Sequence, residues 1–475
     1  MIRLLFLFHR YLGIAVGVLM AMWCVSGVVM LYVSYPALDE SSRLSNLAAI
    51  NWSACCKISA ELLRDAEPVS VFRIEMLADR PVLYLGAAPE SAGLIDLITG
   101  SAIHGVSPDQ AATVAAAYAK AVPPETPRLT DAVDYDQWTV SGSDADRPLY
   151  RFRLGDSART ELYVSSTTGQ AVQITTGRER FWNWLGSVPH WLYFAELRRR
   201  VTLWSQVVIV TSLLGCFLAV TGLYIGVRQL LRQPAGRYSP YDGFNLWHHV
   251  AGLVFGVFTL TWVLSGLLSM NPWGLLEGAG AQPERARLRG PPVSGAQVRS
   301  ALQALVRAHP SGIASIQNAP LGGQLYFLAS AADGERWRLD ATAAPVALNE
   351  ANLTYIGAAL VGTEPPQSPQ LMRREDTYYF GHHREVVQLP AYRFVTRNGS
   401  GTRYYVDPVS GALIAKIDRG DQHYRWWHEG LHRMDFSAAL RGRPQWDVLM
   451  LLLMSGVTTV CVTGAYLGYR RLVRS

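Results

Sequence analysis

The sequence predicts a membrane α-helical protein: four transmembrane helices in two tandem pseudo-symmetric halves, each half carrying an α/β domain outside the bilayer. Three observations predict it. Charge clears out of four windows, Tyr11–Val33, Val201–Val227, Val250–Met270 and Val448–Tyr469, each long enough for the roughly 20 residues that cross a bilayer core. The stretch LFHRYLGIAVGVLMAMWCVSG (Leu7–Gly27) returns as LWHHVAGLVFGVFTLTWVLSG (Leu246–Gly266), laying His9 on His248, Gly13 on Gly252, Gly17 on Gly256 and Trp23 on Trp262. A second block repeats at a shift of 242 positions, from Tyr150-Arg151-Phe152 on Tyr392-Arg393-Phe394, through His190 on His432, to Thr221-Gly222 on Thr463-Gly464.

The elements follow in order. Residues 1–33 hold the first span. It is too long for a cleaved signal peptide and has no Ala-x-Ala exit, so it is read as a retained helix. Residues 34–200 form the first outer domain, 201–227 the second span, 228–245 a short loop and 246–270 the third span. Residues 271–445 form the second outer domain, 446–469 the fourth span and 470–475 a tail. Arg3, Arg10, Arg228, Arg232, Arg237, Arg470, Arg471 and Arg474 flank the spans on one side, which places both termini in the cytoplasm. Arg198-Arg199-Arg200 argues the other way, but borders a long translocated segment where the rule is weak.

Net charge is +6. It reads as topology and contact with lipid headgroups, and no basic, aromatic-studded domain is present to hold nucleic acid. Five cysteines make no disulfide framework: Cys24, Cys216 and Cys461 fall in spans, and Cys55-Cys56 is an adjacent pair outside.

In the outer domains, Val71–Met76, Pro81–Gly86, Gln324–Ser330 and Glu335–Leu339 read as strands, and Ser294–His309 as a helix. Ser107-Pro108-Asp109 starts another helix, through Lys120, with serine as N-cap and proline in the first turn. Asp96–Gly100, Ser165–Gly169 and Asp407–Gly411 are tight turns closed by a glycine at positive φ. Phe181–Phe194 and Tyr424–Phe436, rich in Trp and Tyr, read as helices along the membrane surface. Every span carries G-x-x-x-G, which favours close helix contact and would equally clear room for a cofactor.

The ordered set HRYLG, SG, YVDPVSG, WWHEGLH and a final span ending in TG resembles the PepSY-associated transmembrane proteins, a group that includes bacterial inner-membrane ferric-siderophore reductases. The likeness covers nearly the whole chain. It implies PepSY-like domains in the periplasm, and one-electron reduction of a ferric siderophore there to release the metal as iron(II). One departure stands out: repeat one has WLGSVPH where repeat two has WWHEGLH, and so lacks a counterpart of His428.

Histidines carry the candidate chemistry. His9 and His248 sit at the start of spans one and three, each above glycines at i+4 and i+8 on one helical face. A face with one imidazole and little other bulk, presented twice, suits a flat ligand held from two sides, and haem b is the cofactor expected. His190 and His432 precede spans two and four and suggest a second such pair, with His428, one turn from His432, as a rival ligand. His249 is read as interfacial, and Arg10 and Arg198–Arg200 as possible partners of haem propionates. Outer His382-His383-Arg384 fits a solvated loop better than a metal site.

Two axial imidazoles leave no open position on iron, so the expected work is electron transfer. One site at each face would relay an electron across a core about 30 Å thick. No dinucleotide fingerprint, P-loop, zinc-protease motif or nucleophile elbow occurs, so the electrons are expected from a separate cytoplasmic donor; the lipid bilayer is a further expected partner, and the ferric siderophore is the partner that the family resemblance implies. Two other classes stay open: a binding or regulatory membrane protein acting on a periplasmic peptidase or peptide, and a metal transporter with a histidine path.

Overall fold

The computed structural model describes residues 2–57, 63–64, 68–86, 93–119, 126–362, 368–381, 387–397 and 399–474. Among them, four helices are long and apolar enough to cross a membrane: Ile2–Met30, Val201–Leu231, Gly243–Ser269 and Gln445–Arg474. Helices are what such apolar stretches must form, because lipid offers no partner to a backbone N–H or C=O.

The first and third helices extend toward the N-terminus beyond the charge-free windows. His9 and His248 are therefore inside helices that begin at Ile2 and Gly243, not at their starts. Loss of charge marks the hydrocarbon layer, whereas backbone pairing carries the helix on through the headgroups.

Small residues set the helix contacts. A Cβ on Gly17 would lie 3.7 Å from the Ala465 backbone, and one on Gly468 3.2 Å from Ile14, so the first and fourth spans meet closely. The second and third meet at Gly256, 2.7 Å from Leu223, and at Gly226, 3.4 Å from Leu253.

Outside the spans lie three larger antiparallel sheets. One has seven strands in the order Arg336–Asp340, Tyr326–Ala331, Ile313–Asn318, Val71–Leu77, Arg80–Gly86, Gly93–Asp96, Ser101–Ile103. Its strands come from both outer segments, so the α/β domain expected in each half is joined to its neighbour by a continuous ladder. The join pairs Ile74 with Ile316, flanked by Arg73 on Gln317 and Glu75 on Ser315. Pairing these strands removes an open edge from each segment. It also builds one core from Phe72, Ile74 and Leu83 with Val298, Leu305, Ile316 and Phe327, where the rings of Phe72 and Phe327 meet edge to face at 5.7 Å.

Each segment keeps a four-stranded sheet of its own: Arg128–Val133, Leu149–Arg153, Glu161–Ser165, Ala171–Thr175, and Gln370–Met372, Ala391–Val395, Arg403–Val406, Leu413–Ile417. Helices Pro108–Tyr118 and Glu350–Val361 cover them, burying Ala111 and Ala115 against Phe152 and Leu162, and Ile356 and Leu360 against Phe394 and Val406. Ser107 caps the first of these as expected; the expected end at Lys120 lies outside the described residues. The three glycine turns form, with Gly100, Gly169 and Gly411 at φ of 78°, 71° and 78°. Cys55 and Cys56 are joined by a disulfide.

From each four-stranded sheet the chain returns to the spans through short helices: Gly177–Leu185 and Ser187–Trp191 in one half, Arg419–Tyr424 and Leu431–Arg433 in the other. In the second half a π-helical turn, Arg425–Gly430, is inserted between them. Phe181, Trp184, Trp191, Trp427 and Phe436 stand exposed on these segments, as side chains at a membrane surface do. Both segments end on a left-handed non-glycine residue, Leu192 (φ 53°) and Met434 (φ 54°), which swings the chain toward its span.

Candidate functional site: two facing pairs of histidines

The structure brings His9 and His248 together, with ring centroids 6.3 Å apart and planes tilted by 40°. His190 and His432 form a second pair at 6.1 Å and 76°. Metal–nitrogen bonds are about 2 Å long, so rings at these separations would leave room for one metal atom held by an imidazole from each side. Metal-ligating imidazoles also follow a rule: the second ring nitrogen donates to a carbonyl or carboxylate, which fixes the tautomer and the ring's aim.

His9, His248 and His190 obey it through a carbonyl, and at His432 a serine hydroxyl takes the carbonyl's place. His9 Nδ1 lies 3.2 Å from the Leu218 carbonyl and His248 Nδ1 3.1 Å from that of Val460. Thr221 Oγ1 and Thr463 Oγ1 are a further 3.3 and 3.2 Å contact. His190 Nδ1 meets the Trp23 carbonyl at 3.0 Å and Ser26 Oγ at 3.2 Å, and His432 Nδ1 meets Ser265 Oγ at 2.9 Å. At His9, His248 and His190 the carbonyl can only accept, so it holds the proton on Nδ1 and leaves the Nε2 lone pair for a ligand; at His432 the Ser265 hydroxyl already donates to the Trp262 carbonyl at 3.0 Å, which leaves its oxygen to accept from Nδ1. Among the described residues none of the four Nε2 atoms has a hydrogen-bond partner.

Burial lowers the pKa of His190 to about 4. It lowers that of His432 well below the ordinary value, with His428 and His190 adding to the effect. Both outer rings are thus neutral at physiological pH, the form that ligates a metal.

Clearance around the inner rings comes mainly from the neighbouring helices. A Cβ on Gly222 would lie 2.7 Å from His9 Cε1, and one on Gly464 3.0 Å from His248 Cε1. Of the glycines above each histidine, Gly17 and Gly256 serve helix contact. A Cβ on Gly252 would meet nothing within 4 Å, and one on Gly13 only Leu218 at 3.8 Å. At the outer pair, a Cβ on Gly27 would lie 3.4 Å from His190 Cε1, and one on Gly266 3.8 Å from His432 Cε1. Two equivalent buried donors, Trp23 Nε1 and Trp262 Nε1, have no acceptor among the described residues. A buried orphan N–H costs about 1–3 kcal/mol, so the bundle core offers a polar need that a ligand would meet. The residues present fit a flat, bis-imidazole-ligated group at both places.

Other expectations resolve differently. His428 sits 5.3 Å from His432 and binds the Ser265 carbonyl through Nδ1 at 3.0 Å, but it is His432 whose ring faces His190. His249 is buried, not interfacial: Nδ1 meets Ser239 Oγ at 2.9 Å and Nε2 the Gly226 carbonyl at 3.0 Å, pinning the 232–242 loop to the second span. The physical reason is that its helix face turns toward Gly226, where the absent side chain admits a ring. Arg10 is exposed, and Arg198 is stacked on Tyr193 and Trp204 at 5.1 and 4.6 Å. His382 and His383 lie outside the described residues. Among the described residues no group of three or more His, Cys, Asp or Glu is placed to hold a bare ion.

Sequence reasoning missed the partners of the rings. Thr221 and Thr463, and Ser26 and Ser265, were visible as the paired TG and SG motifs, and a hydroxyl recurring beside a glycine at both ends of the spans was the available signal.

The four spans and the β-sheet regions outside them define a multi-pass membrane protein with PepSY-type domains. The chain belongs to the family described as PepSY-associated TM region, which it matches over residues 6–337, a stretch that takes in three of the four spans. No curated protein matches it.

Proposed function

We propose that this protein is a haem-containing electron-transfer protein of the bacterial inner membrane, with both termini in the cytoplasm and its β-rich domains in the periplasm. It reduces a ferric siderophore in the periplasm with electrons delivered by a separate cytoplasmic donor. The observation that carries the reading is the two pairs of histidine rings, 6.3 and 6.1 Å apart, each ring with Nδ1 held by a carbonyl or a hydroxyl and Nε2 without a hydrogen-bond partner among the described residues. His9 and His248 would hold one haem b, and His190 and His432 the other. When bound, such an iron supplies one-electron transfer without an open coordination position.

The chain's own residues do the rest. Leu218, Val460, Trp23 and Ser265 orient the imidazoles, and the apolar spans keep water from the path. Equivalent partners at equivalent positions support two tandem halves related by an axis along the membrane normal, as does the Ile74–Ile316 pairing. Siderophore as substrate rests on the family resemblance: iron(III) in hard oxygen ligands is released once reduced.

The test is a reduced-minus-oxidised spectrum of protein produced with ample haem. Bands of bis-histidine haem at two per chain are expected. A colourless protein that instead captures a periplasmic peptidase would overturn the electron-transfer reading in favour of a binding module.

A further inference from the structure

Cys24 in the first span and Cys461 in the fourth are free, and their sulfurs lie 3.6 Å apart. They meet where the first and fourth spans pack together, in one cluster with Met20, Val457, Trp23 and Trp262. Small size alone explains a tight crossing, and glycine and alanine do that job at Gly17–Ala465 nearby. Two thiols facing each other do more, because closure to a bond of about 2.0 Å asks for only a small approach of two helices already in contact. Cys461 is buried and Cys24 partly so, beside the outward-facing Val25. A lipid-soluble oxidant therefore has a route that water-borne thiols lack.

The neighbours give the pair a consequence. Cys24 follows Trp23, whose carbonyl binds His190, and Cys461 follows Val460, whose carbonyl binds His248. A covalent tie here would fix the backbone that aims one ring of each histidine pair.

We propose that Cys24 and Cys461 are a redox-active dithiol that closes to a disulfide between the two halves of the membrane core. Two S–H bonds break and one S–S bond forms. The two electrons and two protons pass to a membrane quinone, which becomes the hydroquinone. This holds whether or not the histidines carry haem.

The test exploits where the cysteines fall. A protease site inserted between Gln233 and Pro234 leaves Cys24, Cys55, Cys56 and Cys216 on one fragment and Cys461 alone on the other. Any linkage of the fragments in SDS without reductant must run through Cys461. The purified full chain is treated with diamide, or with a short-chain ubiquinone, then cut, denatured with free thiols alkylated, and run on a gel. Most chains are expected to stay linked until dithiothreitol is added, C24S to remove the link and C216S to leave it. Peptide mass spectrometry on the uncut wild type, which needs no variant to fold, should find the 24–461 pair. Fragments that separate after both oxidants, or a link that survives in C24S, would overturn the proposal.

Discussion

The inner and outer histidine pairs have nearly the same ring separation but are built differently. His9 and His248 are carried by the long span helices themselves and make matching bonds, carbonyl plus threonine, to the next span. His190 and His432 ride on short surface helices, bind the ends of the first and third spans, and sit at a steeper mutual tilt. Each pair has a further histidine next to it, but His249 beside His248 turns away to Ser239 and Gly226, whereas His428 lies ring to ring with His432 on a π-helical turn. The two rings of a pair have matching partners where the scaffold is a membrane helix and differing ones where it is a short surface helix. Such π-turns often occur at functional sites, and under the proposed function an adaptable outer centre would suit the end of a relay that meets a bulky chelate.

The largest expected break of this comparison is His248→Ala, which should remove one of two haem signals while leaving the outer one intact, as haem-to-protein ratio by pyridine haemochromogen would show. Gly222→Val should do the same indirectly, since even its Cβ falls 2.7 Å from His9 Cε1. Next, His432→Ala should abolish the outer haem, whereas His428→Ala should keep it and slow siderophore reduction several-fold. Equal haem loss in both would mean that the two residues share the ligand role.

A smaller effect is expected from Thr463→Val. Outer-shell partners of a ligand are typically worth about 10–100-fold in affinity, and with the Val460 carbonyl still in place the change should be about 10-fold or less by haem titration. Least effect on either pair is expected from Phe72→Ala. That substitution should cost about 3–5 kcal/mol of outer-domain stability, read by thermal unfolding, with haem content unchanged.

Much of this was legible in the residues. Four spans follow from lack of charge over sufficient length, and the pairing of 9 with 248 and 190 with 432 follows from repetition, because equivalent positions in a duplicated bundle face one another. What stayed hidden depends on neighbours in space. The glycines that clear the inner rings lie on the following helix, at Gly222 and Gly464, so no spacing within one helix reveals them. His249 seemed interfacial because nothing local announces that the Gly226 backbone will accept its ring. The shared sheet was invisible for the same reason: an alternating strand such as Val71–Leu77 does not say which strand will lie beside it.

That sheet has a consequence for how the molecule is made. Val71–Leu77 cannot find Ile313–Asn318 until some 242 further residues have left the ribosome, which at about 5–20 residues per second takes on the order of 10–50 s. Throughout that interval the nascent first half displays a bare β-edge, an invitation to mispair or aggregate. Biogenesis, more than the finished fold, is then the stage at which a holdase would matter to this protein.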